Sequence, residues 1–220
     1  MKIGLFGGTF DPVHWGHLRS AEEVREVFSL DRVVFIPAAN PPHRQQNPAT
    51  PAVHRTAMAR LAIAKNPRFA LSTVELARPG KSYSIDTIRY FKERGGPRDS
   101  LYWILGLDAF REIGSWKNFQ EIFPLCHLVV TSRPDCEEPM SLRGMPVAVR
   151  KLFCYDFHKQ MYRHASGTTL SFIRITGLAI SASDIRNRLQ KGKSVRYLVP
   201  LEVESYIRQR RLYRDGQGER

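Results

Sequence analysis

His14 and His17 stand three residues apart just beyond a Gly7-Gly8 pair, where an apolar run gives way to helical spacing. Residues three apart on the first turn of a helix share a face, so the two imidazoles can meet one anion. The stretch Lys2 to Leu18, KIGLFGGTFDPVHWGHL, supplies the rest of such a site. Ile3, Leu5 and Phe6 suit a short buried parallel strand. Gly7 and Gly8 let another group approach the backbone, and Leu18, Ala21, Val24 and Phe28 recur at helical period. A strand feeding a glycine turn and then a helix leaves unpaired N–H groups facing one point, backed by the positive end of the helix dipole. The chemistry implied is the holding of an anion. The run is neither the dinucleotide fingerprint GxGxxG nor the P-loop GxxxxGKS/T.

A second anion site is offered near the other end of the chain. Ser181, Ser183 and Asp184 suit a helix N-terminus, Ile185 and Leu189 fall on its inward face, and Gly192 suits its C-terminal cap. Serine hydroxyls, helix N–H groups and Arg186 would then point to one side; an ordinary capped helix with a surface arginine is the alternative. Gly106 and Asp108 follow an apolar strand, Leu101 to Leu105, at the carboxyl end where ligands gather in open α/β sheets. Asn40 to Pro51 holds four prolines with His43 and Arg44 among them. It reads as a long loop, either a flap over the phosphate site or a solvated basic loop.

The elements that must position these groups alternate. Arg32 to Ala38 and Phe69 to Leu76 read as strands, with a helix between them capped by Thr50 and Pro51 and reaching about Lys65. A turn at Arg78 to Ser84 leads to a helix over Ile85 to Arg94, and a helical stretch carrying Trp116 and Phe119 leads to the strand His127 to Thr131. Leu170 to Ile175 is a further strand, and Pro200 opens a last helix anchored by Leu201, Tyr206 and Ile207 before a frayed charged tail. The alternation predicts a Rossmann-like, doubly wound parallel α/β sheet over residues 1–180, with a small helical appendage over 181–220 completing the phosphate site. From Arg133 to Thr169 the pattern breaks. Its run of Lys151, Phe153, Tyr155, Phe157 and Tyr162 reads as an insertion against the sheet edge, or as a surface for nucleic acid, a partner or a second copy in a homo-oligomer.

A chain of 220 residues with 42% hydrophobic content suits one α/β domain with an appendage. Its formal charge of +13 calls for an anionic substrate or partner without choosing among them. No apolar run approaches a membrane span, and the glycines and Asp11 come too early for a signal peptide, so a cytoplasmic location and no membrane partner are expected. Cys126, Cys136 and Cys154 form no CxxC pair, which suits a reducing compartment. Cys154, His158 and His164 match no common zinc spacing.

GGTFDPVHWGH at one end and ISASDIRNR at the other together resemble the bacterial nicotinate-nucleotide adenylyltransferase family of HxGH nucleotidylyltransferases. The resemblance covers about Met1 to Ser132 and Ile173 to Tyr213. It implies an enzyme that joins nicotinate mononucleotide to the AMP part of ATP and releases pyrophosphate, forming deamido-NAD. It also implies that Gly8, Thr9, Phe10, His14, His17, Gly106, Asp108, Ser181, Ser183 and Arg186 bind ATP, with His14, His17 and Arg186 acting in catalysis. Pro41-Pro42-His43-Arg44 resembles the family's PPHK loop, with arginine for lysine. Ser82 to Thr87, SYSIDT, resembles its SYTxDT segment; by that likeness His43, Arg44, Tyr83, Ser84, Asp86 and Trp116 hold the nicotinate nucleotide. Mg²⁺ is expected as the cofactor, bound mainly through ATP phosphates and water, with no metal ligands from the protein. A sister adenylyltransferase acting on phosphopantetheine, a cytidylyltransferase, and a basic nucleic-acid-binding module on the same fold are the competing readings.

Overall fold

A computed structural model describes residues 1–41, 49–132, 145–159 and 161–213. The strands are β1 (Lys2–Gly8), β2 (Arg32–Pro37), β3 (Phe69–Leu71), β4 (Ser100–Gly106), β5 (His127–Ser132), β6 (Phe153–Asp156), β7 (Met161–His164) and β8 (Thr169–Arg174). They form one sheet in the order β3-β2-β1-β4-β5-β8-β7-β6. The first six positions pair in parallel, whereas β7 runs antiparallel to both β8 and β6. Strand order reverses at β1 and β4. In an open α/β sheet that reversal leaves a crevice at the carboxyl ends, here beyond Gly8 and Gly106.

The helices are α1 (Trp15–Val27), α2 (Ala52–Ile63), α3 (Ser84–Arg94), α4 (Leu107–Arg111), α5 (Phe119–Ile122), α6 (Val147–Arg150), α7 (Ala182–Gln190) and α8 (Leu201–Gln209). Strand side chains alternate between two faces, and each face has its own core. Leu5, Ile36 and Trp103 pack with Ile85 and Ile88 of α3 and Phe110 of α4. Phe35 and Ile104 pack on the other side with Val24, Met58, Ile185, Val203 and Ile207 from α1, α2, α7 and α8. Each such side chain contributes roughly 1.5–3 kcal/mol on burial, so the doubly wound arrangement follows from the alternation. The C-terminal helical segment, expected as an appendage, is seated in this second core.

Several local expectations change. The segment after Arg133 does not merely lean on the sheet edge. Its β6–β7 hairpin continues the sheet past β8, making it mixed, because a hairpin can join antiparallel neighbours with a short connection. Its aromatic residues serve that hairpin: Phe153 and Tyr162 are buried, and Tyr155 packs across on Tyr162 at 4.9 Å. The strand expected over Phe69 to Leu76 ends at Leu71, and a turn closes on the Thr73 carbonyl. This bend lets Glu75 turn inward to meet the Thr87 hydroxyl at 2.7 Å, a partner that a buried carboxylate requires. The helical stretch around Trp116 is broken into α4, a 3-10 turn at Ile113–Ser115, and α5, with Trp116 itself extended. Thr50 does not cap α2; Pro51 occupies that position, and the Thr50 N–H is used elsewhere. Leu201 is exposed at 63%, while Val203 and Ile207 anchor α8.

Candidate active site

β1 delivers the chain to a tight turn. A Cβ on Gly7 would lie 2.8 Å from the Trp103 ring of the neighbouring strand, so only glycine lets the indole lie there. Beyond it Phe10 adopts φ +49° and the Asp11–Pro12 peptide is cis. His14 is the N-cap of α1, and its backbone N–H donates to Nδ1 of His17 at 3.2 Å. The two rings stack with centroids 3.7 Å apart. With Nδ1 accepting, the neutral His17 ring carries its proton on Nε2, which makes it a hydrogen-bond donor to an anion. A Cβ on Gly16 would sit 3.0 Å from Nδ1 of the buried His14 ring, so this glycine makes room for the stack.

The motif at the other end of the chain is fastened to this turn. Ser181 caps α7 by accepting the Asp184 N–H at 3.0 Å, and its hydroxyl lies 3.1 Å from that of Ser183. Arg186 Nη1 donates to the Asp11 carbonyl at 2.7 Å. The Asp11 side chain is buried; Oδ1 accepts from the Tyr213 hydroxyl at 2.7 Å and Oδ2 from the Thr50 N–H at 3.2 Å. Burial, with the Asp11 charge beside it, pushes the Tyr213 phenol far up, so it remains a donor. Tyr213, the last of the described residues, is thereby anchored; the rest of the tail expected to fray, 214–220, lies outside the described residues. A tyrosine within a charged tail was the available signal.

Sequence reading also missed Arg55. It is 1% exposed, on the buried stripe of α2 three and four residues before Met58 and Ala59. That position in an apolar stripe was the signal, since a buried guanidinium requires several acceptors. Its donors reach the Thr50, Thr9 and Ala39 carbonyls at 2.6, 2.7 and 3.2 Å. One side chain thus ties the ends of β1 and β2 to the entry of α2. Across a trans peptide the carbonyl and the next N–H point opposite ways, so turning the Thr9 carbonyl to Arg55 turns the Phe10 N–H away from it.

A cavity of about 410 Å³ opens at the crevice. Gly7, Gly8 and Thr9 line one end, Leu105 and Gly106 the floor across the strand reversal, and Tyr83, Ser84, Trp116 and Lys117 another wall. Ser82 closes that wall by accepting the Ala39 and Asn40 N–H groups at 2.9 and 3.1 Å. Glu75 also lines the cavity. Burial raises its carboxyl above the ordinary range against the opposing influence of Thr87, Arg78 and Arg55.

Of the residues expected in the site, Gly8, Thr9, Tyr83, Ser84, Gly106 and Trp116 line this cavity. Phe10, His14, His17, Ser181, Ser183 and Arg186 lie outside its lining, around the adjoining turn. Asp86 also stands outside the lining, 3.3 Å from Lys117 Nζ. The Asp108 side chain is 99% exposed, 3.6 Å from Arg111 Nη1. His43 and Arg44 lie outside the described residues. Burial pushes the Cys126 thiol up to about 12, which leaves it unreactive. Among the described residues no three His, Cys, Asp or Glu side chains form a metal cluster, and no helix is long and apolar enough to cross a membrane.

Residues 5–188 match the cytidylyltransferase-like family model. A probable nicotinate-nucleotide adenylyltransferase of Geobacter sulfurreducens is 49% identical over 213 residues, covering 97% of this chain and 98% of that protein. A second, from Syntrophotalea carbinolica, is 47% identical over 216 residues, with 97% and 98% covered. Among solved structures, Plasmodium falciparum nicotinic acid mononucleotide adenylyltransferase complexed with NaAD superposes with a TM-score of 0.73 at 19% identity, over 96% of this chain and 97% of that one. The same enzyme complexed with APC gives 0.70 at 18% identity, with 96% of each chain covered.

Proposed function

Because the chain belongs to the nicotinate-nucleotide adenylyltransferases of the cytidylyltransferase-like family, we propose that its cavity is where AMP passes from ATP to nicotinate mononucleotide. The reaction forms deamido-NAD and pyrophosphate, in NAD biosynthesis. A phosphate oxygen of the mononucleotide attacks the α-phosphorus of ATP, and the bond to the β-phosphate breaks. That oxygen is ionised at neutral pH, so the protein need supply neither nucleophile nor strong base. Its task is to align two polyanions and to stabilise charge on the α-phosphate and the leaving pyrophosphate.

The observation that carries this reading is the cavity at the strand reversal, bordered by the glycine turn that leads into α1. In the proposal the Gly8 and Thr9 backbone and His14 and His17 hold the ATP phosphates from the α1 side, with His17 donating through Nε2. Phe10, Gly106 and Asp108 complete the nucleotide site. Ser181, Ser183 and Arg186 close on the triphosphate from the α7 side, supported by the Arg186–Asp11 link. Tyr83, Ser84 and Trp116 take the acceptor, and the family resemblance assigns His43 and Arg44, outside the described residues, to the same nucleotide. Asp86, paired with Lys117, belongs to the same acceptor site.

Around the turn the donors are backbone amides, hydroxyls, imidazoles and a guanidinium, the Asp11 carboxylate is committed to Tyr213 and Thr50, and the carboxylates of the cavity, Glu75 and Glu112, form no metal cluster among the described residues. This fits Mg²⁺ carried on the phosphates and water rather than in a protein cage. Bound there, it would supply positive charge to the phosphate oxygens beside those that His14, His17 and Arg186 contact. We place the protein in the cytoplasm, where its nucleotide substrates are. Residues 1–180 act as the catalytic α/β unit, with 133–169 as its insertion, and 181–220 as the segment that completes the ATP site.

The test is pyrophosphate release from ATP and Mg²⁺ with nicotinate mononucleotide, nicotinamide mononucleotide and phosphopantetheine offered in parallel. Release with nicotinate mononucleotide is the expected result. Release with phosphopantetheine alone would overturn the acceptor assignment, and silence with all three, joined to salt-sensitive RNA binding, would favour a binding module.

A further inference from the structure

A second cavity, of about 640 Å³, lies between the end of α7 and α8, and none of its described lining residues lines the cavity at the strand reversal. Its size falls within the roughly 300–1,000 Å³ of small-ligand sites. Leu189 and Val195 give it an apolar part, and Lys193, Ser194 and Arg208 supply donors. Residues 188–211 hold seven lysines and arginines against two glutamates. Both glutamates are paired, Glu202 with Lys65 at 2.7 Å and Glu204 with Arg208 at 2.5 Å. Arg208 is 67% exposed and spends one Nη on Glu204, which leaves other donors of its fork for a ligand. The last carbonyls of α7, on Asn187, Arg188 and Leu189, take the N–H groups of Lys191, Lys193 and Gly192, so the negative end of that helix is already met. The balance favours an anion.

The turn that leaves this cavity at Val195 carries an exposed ring. Leu198 N–H donates to the Val195 carbonyl at 3.0 Å, which puts Tyr197 at the third position of the turn, with φ +65°. Glycine or asparagine adopts that conformation with less strain, because a Cβ crowds the backbone there. Burial does not offset the strain, for Tyr197 is 81% exposed. The turn is pinned by the Trp15 N–H on the Leu198 carbonyl and by the Arg196 N–H on the Ser194 hydroxyl, each at 3.2 Å. The Arg196 guanidinium lies 5.6 Å from the centre of the Tyr197 ring. A flat ring held in solvent beside a basic cavity supplies the two parts that nucleotide binding uses, a stacking face and phosphate donors.

We propose that the α7–α8 cleft is a second nucleotide site, with Lys193 and Arg208 on phosphate and Tyr197 stacked on a base. The occupant is a nucleotide unit, either free or within a single-stranded nucleic acid. The site gives a use to basic residues that the proposed reaction leaves aside.

The test measures anisotropy of a fluorescein-labelled short oligouridylate and, by calorimetry, direct binding of uridine monophosphate, so that neither probe carries the adenine or pyridine of the proposed substrates. Wild type is expected to bind at least one of them saturably. Tyr197→Gly removes the ring and keeps a residue suited to the turn; it should weaken binding by about tenfold, as for one stacked base. Lys193→Gln should weaken it by about threefold, as for one exposed charge contact, and flatten its dependence on salt. Tyr197-dependent binding of the mononucleotide assigns a free nucleotide, and such binding of the oligonucleotide alone assigns nucleic acid; either supports the site. Equal affinity of wild type and Tyr197→Gly would reduce the surface to general charge and overturn the proposal, as would binding of neither probe. Loss of pyrophosphate release in Tyr197→Gly would place the ring at the catalytic cavity and overturn it as well.

Discussion

Arg186 donates its Nη1–H to the main-chain oxygen of Asp11 at 2.7 Å, across 175 residues of sequence. The link ties the N-terminal part of α7 to the turn that follows β1, so the two end motifs of the chain are brought side by side. Asp11 is bound at both ends of the residue: its carbonyl takes Arg186, and its carboxylate takes Tyr213 and Thr50.

That arrangement makes Tyr213 a structural fastener. Tyr213→Phe removes a hydrogen bond to a buried carboxylate, and the expected loss of stability is about 1.5–3 kcal/mol. Urea denaturation at neutral pH measures it; an unchanged midpoint would mean that water replaces the phenol.

His17 has two jobs, as the partner of the His14 N–H and as the proposed phosphate donor. His17→Ala is expected to lower kcat by about two to three orders of magnitude, as for loss of one transition-state donor. The accompanying loss of stability should be only about 1 kcal/mol, the usual cost of a helix cap. Steady-state pyrophosphate release and thermal melting of the same samples separate the two, and near-normal turnover would remove His17 from catalysis.

Arg55 holds three loop carbonyls out of water. Arg55→Met leaves them unpaired, at about 1–3 kcal/mol for each buried group that finds no other partner. Equilibrium unfolding is expected to show a loss of about 3 kcal/mol or more. Arg55→Lys should recover only part of it, because an ammonium cannot reproduce the planar fork that reaches three separate acceptors.

The Glu75 carboxyl titrates higher in the folded protein than in the unfolded chain, because it is buried. Below the ordinary carboxylate range both states are protonated and the shift costs nothing. As pH rises through the unfolded value toward the folded one, the unfolded state loses its proton first, so stability falls across that window. Glu75→Gln keeps an acceptor for the Thr87 hydroxyl and removes the titration. Its stability relative to wild type should therefore rise between acid and neutral pH; parallel pH profiles for the two proteins would show that Glu75 is not the cause.

Much of this protein is dictated locally. Apolar runs such as RVVFIP, the glycine pair, the helix starts at His14 and Ser181 and the Pro200 entry to α8 each follow from the chain's own steric and hydrogen-bonding rules, which act over a few residues. They fix the strand and helix order, and with it the doubly wound sheet and the site at its carboxyl edge. The resemblance of the two end motifs adds the chemistry. Tertiary structure decided what depends on meetings between distant residues. Arg55 reads as one more basic residue of a helix until three carbonyls surround it, and Tyr213 as part of a charged tail until Asp11 accepts its hydroxyl. Lys117 shows its place only when Asp86 and the Tyr83 ring come beside it, and the β6–β7 run becomes sheet only when β8 offers an edge. In each case the deciding quantity is the desolvation of a polar group or the availability of a partner strand, neither of which exists before the chain has closed on itself.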